Sequence, residues 1–425
     1  MNYTIIGNSA AAVGAVEAIR SHDRRGEIVI ISREPYRAYS RPLITYLLAG
    51  QIGEDRMFYR ERDFYRRNKI RTFLEREVKA LQLQQRRLLL TDGETLDFNK
   101  LLIATGGSPI APPVEGIHLK GVFTFMTWDD AKEMRRYVKD HPVESVVIIG
   151  GGLIGLKAAE AFLAQGLQVT VVELMDRILS VVFDKKASEM IERQLKAKGI
   201  HLITENTVEK ILGPNNRVET VVLKDQRRID CQMVVFGIGV LPNIGLVKDT
   251  PIRFNKGIQV DSQMETNISG IYAAGDVVEI LDMLLETIRP IAIWPNAYRQ
   301  GWIAGCNMAG VSKRYEGSFA MNSIDICDTP TISVGMTQAS ENGFEILHQL
   351  DREKGTYRKI ILKDGVIVGA ILIGQIDRAG IYTGLIKEKI DVSGFKDILL
   401  REDFGLIYLP NEYRKHLVKG EGVFL

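Results

Sequence analysis

Cysteine is nearly missing from this chain. The 425 residues hold three, Cys231, Cys306 and Cys327, with no CxxC spacing between them. That argues against a cysteine-ligated cluster within the chain and against a secreted disulfide framework. The six histidines are equally scattered, so no metal site is expected. Charge of one sign is lacking too: the formal net charge is +2, and nothing in it points to nucleic acid or an anionic membrane as partner. No uninterrupted apolar run approaches the roughly 18 residues that span a bilayer. The opening MNYTIIGNSAAAVGAVEAIR has no basic segment ahead of its apolar stretch, so no signal peptide is expected and the cytoplasm is the expected location.

Glycine, by contrast, is plentiful. The 39 glycines cluster beside apolar runs, where a backbone turns sharply or approaches a ligand closely. Two segments echo one another. Residues 3–6 (YTII) lead into Gly7-Asn8-Ser9-Ala10-Ala11-Ala12, an Ala/Val-rich helix and a second strand over 28–31. Residues 145–149 (SVVII) lead into Gly150-Gly151-Gly152-Leu153-Ile154-Gly155, a helix over 156–163 and a strand over 169–172 ending at Glu173. Each reads as strand, glycine turn, helix and strand, the βαβ unit of a parallel sheet. A later apolar strand closes each unit, 101–107 (LLIATGG) and 234–239 (VVFGIG). A single glycine turn is weak evidence for a nucleotide site, but two in one chain are much stronger.

The second turn is the cleaner of the two. Gly150 permits the turn, Gly152 lets backbone approach a pyrophosphate, and Gly155 lets the helix pack on the sheet. The helix start at Leu153 and Ile154 then points free N–H groups at the phosphates. Glu173 stands where the fingerprint requires an acid for the ribose 2′-hydroxyl. A carboxylate there repels a 2′-phosphate, and Arg177 is the only basic residue nearby, so NAD(H) is expected over NADP(H). The first turn is degenerate, with Ser9 and Ala12 where glycines are expected. Taken alone it suits an ordinary loop as well as a phosphate. Ser9 is small and carries a donor, and Glu34 is the candidate for an adenosine ribose, although Ser32 is the first residue past the apolar run.

The segment 108–113 (SPIAPP) reads as a linker, and 127–138 as a helix capped by Thr127 with Asp129 and Asp130 in its first turn. From about Phe319 the pattern changes to short β-rich runs, 331–334, 357–362 and 366–373, which suggests a smaller α+β domain.

At this point the residues resemble the FAD-dependent pyridine nucleotide-disulfide oxidoreductase superfamily. Ala104-Thr105-Gly106 is similar to its turn beside FAD. TNISGIYAAGD, 266–276, is similar to its second FAD motif, in which Gly275 precedes the aspartate, here Asp276, that bonds the ribitol. Gly237 to Asn243 resembles the segment returning the chain from the NAD domain to the FAD domain, with Gly237 and Gly239 beside NAD. Ala38 to Leu43 and Ile293 to Gln300 look like the branch of NADH:rubredoxin reductases, nitrite reductase flavin domains and flavin subunits of larger anaerobic oxidoreductases. The resemblance implies FAD on Gly7, Ser9, Ala10, Ala11 and Ala12, with Arg41 and Pro42 in contact, Val78 at the adenine and Trp294 near the isoalloxazine. It implies an α/β fold of two Rossmann-type domains, FAD-binding (1–115 and 246–320) and NAD(H)-binding (116–245), with a C-terminal α+β domain (321–425).

Two departures stand out. No cysteine precedes Cys231, so the flavin has no thiol of its own chain to reduce near the usual position. Lys157 stands where many relatives carry a glutamate close to nicotinamide and flavin. The implied activity is hydride transfer from NADH to FAD and onward transfer to a protein carrier of rubredoxin or iron–sulfur type, or to partner subunits. Direct reaction with oxygen and a flavin-binding sensor or interaction protein are the alternatives. The basic run 60–69 would suit steering of an acidic carrier, but its interspersed acids favour a solvated helix face, and 371–390 and 420–425 read as core or as an interface, with an oligomer as one partner arrangement.

Overall fold

Runs of Ile, Val and Leu bounded by glycine set two parallel sheets of the same plan. In the computed structural model, which describes residues 1–339 and 343–410, the first sheet runs in the order Ile271–Ala273, Lys100–Ile103, Asn2–Ile6, Glu27–Ser32, Ile70–Leu74. All its neighbours are parallel. The second runs Val122–Thr124, Met233–Phe236, Ser145–Ile149, Gln168–Val172, His201–Ile203. In both, the strand before the glycine turn sits between its βαβ partner and the closing strand, so the turn lies at the carboxyl end where strand order reverses. The match extends to single hydrogen bonds. The Gly7 N–H donates to Ile31 O and the Ala104 N–H to Ile6 O, both at 2.8 Å; Gly150 to Val172 O and Gly237 to Ile149 O repeat the pair at 2.8 Å.

By contact the chain divides into two units. One comprises Met1–Pro112, Thr124–His141 and Gly239–Ser318; the other comprises Pro113–Phe123, Pro142–Ile238 and the described residues from Phe319 onward. Each also carries a three-stranded antiparallel sheet, Val78–Gln82 with Arg87–Leu90 and Thr95–Asp97 in the first, and Val208–Leu212 with Thr220–Leu223 and Arg228–Asp230 in the second. The string 420–425 lies outside the described residues.

In the first unit, helix Ala10–His22 packs backbone to backbone on helix Trp294–Met308, and glycine makes this possible. A Cβ on Gly301 would stand 1.9 Å from Ala11 O, one on Gly305 2.5 Å from Ala15 O, and one on Gly14 2.3 Å from Tyr298 O. Helix Trp128–Asp140 also belongs to this unit. A capping box starts it: the Thr127 hydroxyl accepts from the Asp130 N–H and the Asp130 carboxylate accepts from the Thr127 N–H. The buried Trp128 stacks on Tyr36 at 4.4 Å, and its backbone N–H donates to the Tyr39 hydroxyl.

In the second unit, the C-terminal part is a five-stranded antiparallel sheet ordered Met321–Ile326, Thr329–Gly335, Val366–Ile373, Thr356–Lys363, Glu345–Asp351. Helix Ala379–Lys387 covers it, and Ile360, Ile371, Ile373 and Leu385 are fully buried, so most of the apolar stretch beginning at Ile371 is core. This sheet meets the parallel one through charge. The Lys359 ammonium and the Tyr357 hydroxyl lie 2.9 and 2.8 Å from Asp184, whose other oxygen caps helix Lys185–Ala197 through the Ala187 N–H. Burial alone would raise the Asp184 carboxyl, but these three donors outweigh it and hold it below the ordinary carboxylate range. Among the described residues no helix is long and apolar enough to cross a membrane.

The helix seam yields a direct expectation. Gly301→Val forces two backbones apart and is expected to cost about 3 kcal/mol or more, read as a lower urea midpoint with unchanged m-value. An unchanged midpoint would show that the seam is not a tight contact.

Candidate cofactor sites

The first glycine turn opens into a cavity of about 580 Å³ lying wholly within the first unit. Gly7, at φ +115°, leaves its strand in a conformation that a side chain resists, and a Cβ there would meet Ala104 O at 2.1 Å. Ser9 begins helix Ala10–His22 without a side-chain cap, which leaves the first N–H groups of the helix facing the cavity. Every residue expected to hold FAD lines this cavity except Ala12 and Pro42. Ala12 is fully buried, taking the helix-packing position that Gly155 occupies in the second unit. Pro42 instead is the second residue of the short helix Arg41–Leu43, where its fixed φ suits the first turn.

Polar groups gather on the cavity wall. Glu34 accepts from the Tyr39 hydroxyl at 2.6 Å and pairs with Arg41 at 2.5 Å, and Arg41 also donates to Met126 O. Asp276 faces the same space and receives no hydrogen bond from any described residue. Burial pushes its carboxyl above the ordinary carboxylate range, with Arg41 opposing. Trp294 is partly exposed on the wall and meets Tyr59 edge-on at 5.0 Å.

Sequence reasoning missed several wall residues. Asn243 donates to Thr105 O at 2.9 Å, accepts from the Ser108 hydroxyl at 2.7 Å and sends its backbone N–H to Gly106 O, so it clamps the 104–106 turn. Its place at the end of the string 237–243 was the available signal. Met126, Thr127, Arg76, Lys79 and Thr91 also line the cavity. Thr127 was read only as a helix cap.

In the second unit Gly150, Gly152, Leu153, Ile154, Gly155, Glu173 and Gly237 converge on the other turn. Gly150 has φ +110°. A Cβ on Gly155 would meet Gly150 O at 1.9 Å, whereas one on Gly152 would meet nothing within 4 Å, leaving that position open to a ligand. Glu173 is held by the turn itself: its carboxylate accepts from the Gly151 N–H at 2.6 Å and the Met175 N–H at 2.8 Å. Gly239 belongs by contact to the first unit, where its carbonyl accepts from the Ile110 N–H. The Lys157 ammonium lies 2.7 Å from Glu160 and donates to Asp325 O at 3.1 Å. Glu160 in turn accepts from the Cys327 N–H, so this pair anchors the 327–328 hairpin turn.

Comparison with known proteins bears on both turns. The pyridine nucleotide-disulphide oxidoreductase model matches residues 1–301, and the rubredoxin NAD+ reductase C-terminal domain model matches 321–390. The chain belongs to the pyridine nucleotide-disulphide oxidoreductase family. It is 31% identical over 394 residues to the NADH-dependent phenylglyoxylate dehydrogenase subunit epsilon of Aromatoleum evansii, covering 92% of each chain. It is also 31% identical to an NADH oxidase of Methanocaldococcus jannaschii, covering 88% of each. The fold is that of a NAD-dependent persulfide reductase from A. fulgidus, with TM-score 0.86 and 24% identity over 93% of this chain and 78% of that one.

As a member of that family the chain is an FAD- and NAD(H)-dependent oxidoreductase. Its residues fit FAD on their own chemistry. An uncapped helix start suits a pyrophosphate, and a half-buried carboxylate to which no described residue donates suits ribitol hydroxyls. Among the described residues no group of three His, Cys, Asp or Glu side chains gathers to hold a metal.

Asp276 gives a signed prediction. Its raised folded-state pKa means that the folded apoprotein binds its proton more tightly than the unfolded chain does, so above the ordinary value of 3.8 the ionised carboxylate costs stability. Asp276→Asn should therefore raise the melting temperature of flavin-free protein at pH 7. It should also weaken FAD binding about tenfold or more, on the scale of one lost charged hydrogen bond. Fluorescence titration with FAD checks the second effect. A destabilised apoprotein with unchanged affinity would refute both.

Proposed function

We propose that the chain oxidises NADH at FAD and passes the electrons to a protein redox carrier or partner subunit of rubredoxin or iron–sulfur type, in the cytoplasm. One observation carries this reading: the same glycine turn is built twice, each at the carboxyl end of parallel strands in a five-stranded sheet, and one opens into a cavity lined by the FAD set. Bound FAD supplies the acceptor for a nicotinamide hydride. The chain's own residues do the rest. The N–H groups at Ser9 to Ala11 and at Leu153 and Ile154 bind phosphates. Glu34 and Glu173 accept from ribose hydroxyls, Val78 packs on the adenine, Asp276 and Arg41 orient the ribitol and pyrophosphate, and Trp294 walls the isoalloxazine. No side chain is asked to move a proton in the hydride step.

We divide the chain accordingly into an FAD-binding part (1–115 and 246–320), an NAD(H)-binding part (116–245), of which 124–141 and 239–245 pack with the first unit, and a C-terminal domain (321–425). Lys157, with its ammonium on Glu160 and Asp325 O, suits anchoring better than a role beside the nicotinamide. The carrier assignment draws support from the rubredoxin reductase match over 321–390 and from the subunit name of the A. evansii relative. The absence of cysteine before Cys231 agrees with it, since electrons then leave without a nearby thiol relay. The M. jannaschii relative's name favours oxygen as a second acceptor.

Assays with NADH against rubredoxin, ferredoxin or a viologen dye under anaerobic conditions, and against oxygen in air-saturated buffer, separate these readings. Rubredoxin or ferredoxin is expected to be reduced at least about tenfold more efficiently than oxygen, and NADH to exceed NADPH by a similar factor, about 1.4 kcal/mol. Preferred reaction with oxygen would overturn the carrier assignment. A chain that is colourless and refuses flavin would overturn the whole reading.

A further inference from the structure

The loop that follows Glu173 is held from outside the sheet that produces it. It leaves the glycine turn at Glu173 and returns at Leu179, whose N–H donates to Gly151 O at 2.9 Å. Ile178 packs so closely on the turn that a Cβ on Gly151 would stand 2.8 Å from it. Arg177, one residue earlier, is the cation nearest in sequence to the carboxylate expected to read the ribose 2′ position. Its guanidinium is held by two other partners. One N–H donates to Asp176 at 2.7 Å and another to the side-chain oxygen of Gln338 at 3.2 Å.

Gln338 belongs to the C-terminal sheet region, just after strand Thr329–Gly335. Its amide orientation is fixed by its surroundings, because its nitrogen faces two carbonyls of the same loop, Ser180 O at 2.9 Å and Phe183 O. An amide nitrogen can only donate there, so the oxygen must face Arg177. Asp184, at the loop's far end, is held by Lys359 and Tyr357 of the same sheet. The Arg177 Nε is buried and finds no acceptor. A buried N–H without a partner is costly, so Arg177 is kept in place by its two ties.

We propose that Gln338 is a positioning residue that withholds Arg177 from the nucleotide's 2′ position, so that the C-terminal domain sharpens discrimination against the 2′-phosphate of NADP(H). This rests on the reading that the second turn takes NAD(H). With Arg177 tied back, only the Glu173 carboxylate addresses the 2′ position; it accepts from a hydroxyl and repels a phosphate. Released, Arg177 offers a planar fork suited to phosphate oxygens.

Calorimetric titration of the FAD-loaded protein with NAD+, NADP+ and 2′,5′-ADP tests this without turnover. Gln338→Ala is expected to tighten NADP+ and 2′,5′-ADP about fivefold, the scale of one screened ion pair, while NAD+ stays within about twofold. Arg177→Ala placed in the same chain must abolish the gain, which a merely loosened loop would not require. Asp176→Ala, at a position 54% exposed, severs the other tie and must show the same Arg177-dependent gain even if Gln338→Ala fails to fold. No tightening in either variant, or a gain that survives Arg177→Ala, overturns the inference. A wild-type protein that binds NADP+ more tightly than NAD+ overturns the reading of Glu173 instead.

Discussion

Backbone touching backbone where no Cβ intervenes is the constraint on which both halves of this molecule depend. At Gly7 against Ala104 O and at Gly150 against Gly237 O, the strand that carries the turn lies so near the closing strand that a methyl group would overlap a carbonyl. That closeness brings the helix start to the strand ends and gives each turn its inward-facing N–H groups. The same device recurs at the seam of helices Ala10–His22 and Trp294–Met308, whose first turns line the cavity beside Gly7. Site geometry and core packing are therefore not separable here.

The two turns use one scaffold for different tasks. The first compensates for its missing glycines with a small helix-packing residue, Ala12, and recruits distant polar groups: Arg41, Asp276, Asn243 and the start of helix Trp128–Asp140. The second keeps its glycines and presents a single carboxylate, Glu173, already oriented by two backbone N–H groups. A polar cavity with many contributors suits a resident cofactor, whereas an open turn with few contacts suits a ligand that comes and goes.

Much of this was legible in the residues. Periodicity and glycine spacing located both βαβ units, and the capping pair Thr127 and Asp130 marked the start of its helix. Glu173 follows a strand at a fixed distance from the turn, a purely local signal, and the structure puts its carboxylate on that turn. Asn243, Met126 and Gln338 were not found, since each acts across a large sequence separation and nothing local marks it. Strand Met321–Ile326 was missed because its mixture of Asn, Ser and Asp with apolar residues reflects a half-exposed edge rather than a buried strand. The resemblance supplied Asp276 and Trp294, which no spacing argument isolates.

The seam between the first helix and Trp294–Met308 has a consequence for how the chain is made. A polypeptide emerging from the ribosome presents residues 1–112 long before their partners after Gly239 exist. The apolar face of the first helix must wait for a helix whose last residue is Met308. The intervening segment 142–238, continuous and furnished with its own parallel sheet, is free to close first. The amino-terminal segment thus completes its packing only once the chain through Met308 has been made.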